Sequence, residues 1–138
     1  MCVFCDIIRG ETGAHVVFED AVSLAFLDVR PVFEGHTLLV PREHYETLPD
    51  LPAELIGPFF ANVQMLSRAV VDAMGAAGSF VAINNKVSQS VPHLHVHVVP
   101  RRPKDGLRGF FWPRRKYRDE ADMAAVAQSI RAAVGALT

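Results

Sequence analysis

Apolar residues recur along the chain in two periods. Val16 to Glu19 and Val22 to Asp28 are short β-prone runs parted by Glu19, Asp20 and Ala21, which predicts a first hairpin. Arg30, Pro31 and Gly35 interrupt the chain before His36-Thr37-Leu38-Leu39-Val40, a third strand closed by Pro41. The period then lengthens. Asp50 followed by Pro52 signals a helix start, and Leu55, Ile56, Phe59, Phe60, Val63, Leu66, Val70 and Met74 return at threes and fours. One long amphipathic helix is expected, ending at Gly75 or Gly78 and covering a sheet with its apolar face. Ser79 to Asn84 predicts a fourth strand, Asn85 to Ser90 a polar loop, and the alternation from His93 to Val99 a fifth strand. Residues 101–118, with Gly106, Gly109 and Pro113, read as irregular. Residues 119–138 predict a terminal helix, with Met123, Val126, Ile130 and Val134 at helical spacing between Asp122 and Ala136.

The 138 residues suit a single domain spanning 1–138 with a core of its own. Half are hydrophobic and 21% are charged, the balance of a soluble globular protein. No apolar run approaches the roughly 20 residues that span a bilayer, so no membrane partner is expected. MCVFCDIIRG lacks the basic start and long apolar stretch of a signal peptide, and a cytoplasmic location follows as the expectation. Charge is uneven. Residues 101–118 hold eight Arg or Lys against one Asp, a net +7 that leaves −8 for the rest of the total of −1. Such a run is either a solvated tail or a surface that attracts a phosphate-rich ligand, and the acidic remainder argues against extended nucleic acid.

Candidate chemistry concentrates in HLHVHVVPR, residues 93–101. In a strand, His93, His95 and His97 share one face while Leu94, Val96 and Val98 point to the other, under the long helix. Neighbouring Cα atoms in that row stand about 6.6 Å apart and the outer pair about 13 Å, so two adjacent rings could share a metal ion and three could not. Three readings stay open. The row could be the polar face of an ordinary strand, or a catalytic metal site that needs a further ligand and an open position. It could also hold a nucleophile, since a neutral imidazole attacks phosphorus near pH 7 while a neighbouring ring stabilises the phosphoryl charge. Cys2 and Cys5, spaced C-x-x-C, are half a metal site or two small buried hydrophobes. A structural disulfide is disfavoured in the cytosol, and a redox pair would open a helix in a thioredoxin-like context that the sequence lacks.

HLHVHVV carries a His-h-His-h-His-h-h signature, with h apolar, and resembles the histidine triad (HIT) superfamily. The match continues through SQSVP and PR, and includes CVFCDII, SLAFLDVRPVFEGHTLLVPREHY and Asn84, in matching order over residues 2–101. The resemblance implies an α+β fold, a five-stranded antiparallel sheet with one long helix and a C-terminal helix. It also implies a two-fold homodimer through the long helix and fourth strand. The apolar breadth given by Phe59, Phe60, Met65 and Met74 agrees with that.

The resemblance implies a nucleotidyl hydrolase or transferase that cuts at the α-phosphate through a covalent histidine-nucleotide intermediate. His95 would be the nucleophile, His97 would touch the phosphoryl oxygens, and His93 would orient its neighbours. A backbone carbonyl would hold the tautomer that frees His95 Nε2. Gln89 and Ser90 would line the phosphate and leaving group, with the Ser90 hydroxyl donating to the departing atom. Asp28 would hold the ribose hydroxyls, Val3, Phe4, Ile7, Leu27 and Val29 would wall the base, and Asn84 would lie near the phosphate. A turn role for Asp28 and ordinary core for the apolar set are the alternatives.

Similarity to bacterial relatives adds a structural zinc site, in which Cys2 and Cys5 are completed by His44 of PREHY and by His93. His93 would then serve the metal, leaving His95 and His97 to face substrate. The implied substrate is an adenosine-containing purine nucleotide, with Hint-like features favouring AMP linked to an amine, a phosphoramidate. One alternative is a dinucleoside polyphosphate hydrolase or phosphorylase, in which the basic segment with Phe110, Phe111 and Trp112 holds a second base or a longer polyphosphate. Otherwise those aromatics pack against their own domain or a dimer partner. The other alternative is a non-catalytic nucleotide-binding module. The chain departs from the family pattern at Ser88, where glycine is usual before Gln89, and in the shortness of the loop from Asn85 to Ser88.

Overall fold

A computed structural model describes residues 2–108 and 112–138. They fall into two compact units, Met1–Asp105 and Gly106–Thr138. The first contains α1 (Val3–Ile8), β1 (Val16–Glu19), β2 (Ser23–Leu27), β3 (Thr37–Pro41), a 3-10 turn (Leu48–Asp50), α2 (Ala53–Met74), β4 (Gly78–Ala82) and β5 (Val96–Arg101); the second contains α3 (Glu120–Leu137). The strands pair antiparallel throughout in the order β1-β2-β3-β5-β4. The expected α+β architecture is present, and β5 lies inside the sheet rather than at its edge.

Several boundaries move, each for a reason of hydrogen bonding. The Asp50 carboxylate accepts from the Thr47 amide (3.1 Å) and hydroxyl (2.7 Å), so the expected helix start caps the 3-10 turn instead, and α2 begins after Pro52. Gly75 ends α2 in the left-handed region at φ 59°, its amide reaching back to the last turn. β4 stops at Ala82, which leaves Asn84 beyond it. β5 starts at Val96 rather than His93, because the His93 amide turns back to the Val91 carbonyl (2.8 Å) and the Leu94 amide donates to the Tyr45 carbonyl (2.6 Å). That backbone is spent outside the ladder. Contrary to the sequence expectation, the C-x-x-C pair opens a helix, α1, at the N-terminus. Cys2 is the N-cap of α1, and its sulfur accepts the Cys5 amide at 3.4 Å.

Alternation along β2 and β3 gives the sheet two buried faces. Ala25, Leu39, Val96 and Val98 meet Phe59, Val63, Leu66 and Val70 of α2, together with Leu94. Phe59 is 1% exposed, so truncation to alanine there would cost about 3–5 kcal/mol. The opposite face, formed by Leu24, Phe26, Leu38 and Val40, is closed by Phe4 of α1. At the entry to β3, Gly35 has φ 94°, and a Cβ there would come within 2.7 Å of Met74 Cγ. Only glycine makes this turn, and the next residue is His36.

In the second unit, the Asp119 carboxylate caps α3 by accepting the Asp122 amide at 2.8 Å. α3 falls within the expected 119–138 and buries none of its side chains. Among the described residues of 101–118, only Arg101 belongs to a helix or strand. Gly109, Phe110 and Phe111 lie outside the described residues. No described helix is long and apolar enough to cross a membrane.

Candidate active site

A cleft of about 490 Å³ opens on the α1 side of the sheet. Val3, Phe4 and Ile7 of α1 form one wall. Leu27, Asp28 and Val29, at the end of β2 and the following turn, form another. Ser90, His95 and His97 line the same cleft, which brings together nine of the residues expected to touch substrate or react. Two others stand apart from its lining. The Gln89 amide donates to the Glu46 carbonyl (2.5 Å) while its oxygen accepts the Lys86 amide (2.9 Å), so this side chain braces the loop. Asn84 is exposed past the end of β4.

Hydrogen bonds set the tautomer of each ring. His95 Nδ1 lies 2.8 Å from the His93 carbonyl; a carbonyl only accepts, so Nδ1 carries the proton and Nε2 keeps its lone pair. The Phe4 ring meets His95 edge-on at 5.1 Å between centroids. His97 is set by a longer chain. The Val32 amide donates to His36 Nδ1 (3.1 Å), which places the proton of neutral His36 on Nε2. His36 Nε2 then donates to His97 Nδ1 at 3.0 Å, and the proton of His97 is left on Nε2. Burial pushes His97 down to about 4, helped by His95 and His36 and opposed by Asp28. Burial also pushes His36 down, against the pull of Asp28. Both rings are therefore neutral near pH 7, as the tautomer chain requires.

By sequence alone, His36 is only the first residue of the third strand. Its faint signal is parity with Leu38, the residue opposite His97 across β3 and β5. Asp28 takes the turn position, one oxygen accepting the Arg30 amide (2.9 Å), while the other stands 3.7 Å from His36 Nε2 beside the cleft.

A second cluster lies next to the first. The candidate ligand atoms of Cys2, Cys5, His44 and His93 all fall within 4.8 Å of one another. His93 Nδ1 is 3.5 Å from both sulfurs, and His44 Nδ1 is 3.3 Å from Cys5 Sγ. His93 Nε2 donates to the Pro41 carbonyl (2.9 Å), which leaves the Nδ1 lone pair directed at the sulfurs. Two thiolates and two imidazoles make a closed donor set that fits a structural zinc ion. Fully buried His93 touches both centres, its ring in this cluster and its carbonyl on His95.

An antiparallel sheet backed by one long helix, with a histidine row over a cleft, defines a histidine triad protein. The chain belongs to the HIT domain family, whose model matches residues 9–104. It is 37% identical over 108 residues to an adenylylsulfatase, HINT3, of Arabidopsis thaliana, covering 77% of this chain and 55% of that protein. It is 34% identical over 114 residues to adenosine 5'-monophosphoramidase hnt1 of Schizosaccharomyces pombe, covering 81% and 83%. Among solved structures, a HIT family protein from Bacillus subtilis superposes with a TM-score of 0.84 at 35% identity over 94% of each chain. A zinc-bound histidine triad family protein from Mycobacterium smegmatis gives a TM-score of 0.73 at 39% identity, covering 95% of this chain and 96% of that one.

Proposed function

We propose that the protein is a nucleotide hydrolase or nucleotidyl transferase acting at the α-phosphate through a covalent His95-nucleotide intermediate, with AMP-amine phosphoramidates as its preferred substrates. One observation carries the reading: the His93 carbonyl leaves a lone pair on His95 Nε2, beside a neutral His97 that donates from Nε2. The base lies against Phe4, Ile7 and Leu27, and Asp28 takes the ribose hydroxyls. His95 Nε2 attacks phosphorus, the P–N bond to the amine breaks, and the departing nitrogen takes a proton from solvent while the Ser90 hydroxyl hydrogen-bonds to it. The His97 Nε2 proton meets the charge that grows on the phosphoryl oxygens. Water then attacks the same phosphorus, releasing AMP and restoring His95.

Cys2, Cys5, His44 and His93 would hold a zinc ion whose contribution is structural, a cross-link among α1, the segment after β3 and the approach to β5. A reducing cytoplasm suits the cysteines as metal ligands. The chain pairs as a two-fold homodimer through α2 and β4. β4 is an edge strand, and Val81 on it and Ile56 on α2 are 42% and 47% exposed. Light scattering at micromolar concentration tests this, and a monomer refutes it.

The mechanism is tested by acid-quenching the protein with an AMP-amine substrate. Mass spectrometry should then find one adenylyl group on His95, and undiminished turnover by His95→Ala would overturn the mechanism. A panel of phosphoramidate, adenylylsulfate and dinucleoside tetraphosphate ranks the leaving groups by kcat/KM. Binding of AMP without turnover of any of the three would establish the non-catalytic alternative.

A further inference from the structure

We propose that Cys2 and Cys5 are a peroxide-responsive pair whose oxidation to a disulfide dismantles the four-donor cluster and loosens the α1 wall of the nucleotide cleft. The inference rests on the reading of Cys2, Cys5, His44 and His93 as a zinc site. Three observations support it.

The first is proximity. The Cys5 amide donates to Cys2 Sγ at 3.4 Å, and the two sulfurs stand within 4.8 Å of each other at the opening of one helix. C-x-x-C at a helix start is a spacing that a disulfide closes without unwinding the chain. The second is access. Both cysteines are partly exposed and His44 is exposed, so a small oxidant reaches sulfur from solvent. The third is coupling. Val3 and Phe4 lie between the two cysteines, and both line the cleft. Phe4 packs edge-on against His95 at 5.1 Å and Phe26 at 5.4 Å. At six residues α1 is too short to persist alone, so its place depends on Phe4 and on the cluster that ties Cys2 and Cys5 to His93.

The chemistry balances with hydrogen peroxide as the oxidant. One thiolate attacks the peroxide, forming an S–O bond as the O–O bond breaks, and the leaving hydroxide takes a proton to become water. The second thiolate attacks that sulfur, forming the S–S bond and expelling the sulfenyl oxygen as a second water after protonation. Two sulfurs lose two electrons together, and the peroxide gains them. The cluster keeps two imidazoles, too few to retain a zinc ion against solvent.

The test begins with zinc analysis of the purified chain, followed by peroxide titration with a chromogenic chelator, intact-mass measurement and AMP affinity by calorimetry. The expected result is stoichiometric zinc release, loss of two hydrogens per chain and severalfold weaker AMP binding, all reversed by a thiol reductant with added zinc. Absence of zinc from the purified protein would remove the metal reading itself. Zinc present but retained under peroxide would overturn the switch alone, as would disulfide formation with unchanged AMP affinity. In Cys2→Ser, which cannot form the disulfide, AMP affinity should not respond to peroxide. A response equal to the parent's would assign the effect to other groups and overturn the proposal.

Discussion

His36 Nε2 lies 3.0 Å from His97 Nδ1, and the Val32 amide on the far side of the His36 ring decides which of the two donates. A backbone amide thereby fixes, through two imidazoles in series, that His97 offers a proton from Nε2.

His36 should accordingly act as a positioning residue. His36→Ala leaves His97 free to take either tautomer, and we expect kcat to fall by about 10–100-fold with a smaller change in KM, as when an outer partner of a working histidine is removed. His36→Gln, which retains a side-chain N–H donor, should recover part of the loss. Equal kcat values for the two variants would show that packing, not donation, is what His36 supplies.

Acid sensitivity follows from His97. Its pKa falls from the ordinary 6.5 to about 4 on burial, so the unfolded chain binds the extra proton first as pH drops. The neutral ring's contribution to stability is whole above about 6.5 and is lost as pH falls towards about 4. His36 is shifted in the same direction, chiefly by burial, and adds to the slope. Calorimetric Tm should decline through this window, and His97→Asn should make the decline shallower. A slope unchanged in that variant would refute the assignment.

A zinc ion held by Cys2, Cys5, His44 and His93 would make Tm chelator-sensitive. Cys5→Ser removes one thiolate from the donor set and should lower both zinc content and Tm, with chelator then producing little further change. A Tm insensitive to chelator in the unaltered protein would exclude a stabilising metal.

Ser88 has φ 61°, the left-handed region that the glycine usual at this position would occupy freely. The departure noted in the sequence is thus a backbone cost. Ser88→Gly should relieve about 1 kcal/mol of strain, offset in part by the greater freedom of glycine in the unfolded chain, and denaturant melts would register a small gain.

Much of the molecule was legible in the chain. The three-and-four spacing from Leu55 to Met74 identified α2, and strict alternation identified which of Leu94 to Val98 face it, because both signals arise from local backbone geometry. α1 escaped notice because six residues carry no period; what holds it is Phe4 packing on Phe26 and a sulfur cap. Resemblance attached roles to the histidine row, Asp28 and the cysteine pair; the cleft gathers His95, His97 and Asp28, while Cys2, Cys5, His44 and His93 meet in the second cluster. Gln89 and Asn84 lie off its lining because the loop from Asn85 to Gln89 is tied to Glu46 and Leu48, contacts distant in sequence.

By itself, then, the sequence determined the class of fold, the five strands and the long helix of the sheet, and the residue types able to perform phosphoryl chemistry. Only the tertiary structure decided which nitrogen of each histidine holds its proton. That property depends on partners brought from elsewhere: the Val32 amide for His36, His36 for His97, the Pro41 carbonyl for His93. Periodicity reports the face on which a side chain stands, whereas a tautomer depends on what stands opposite it.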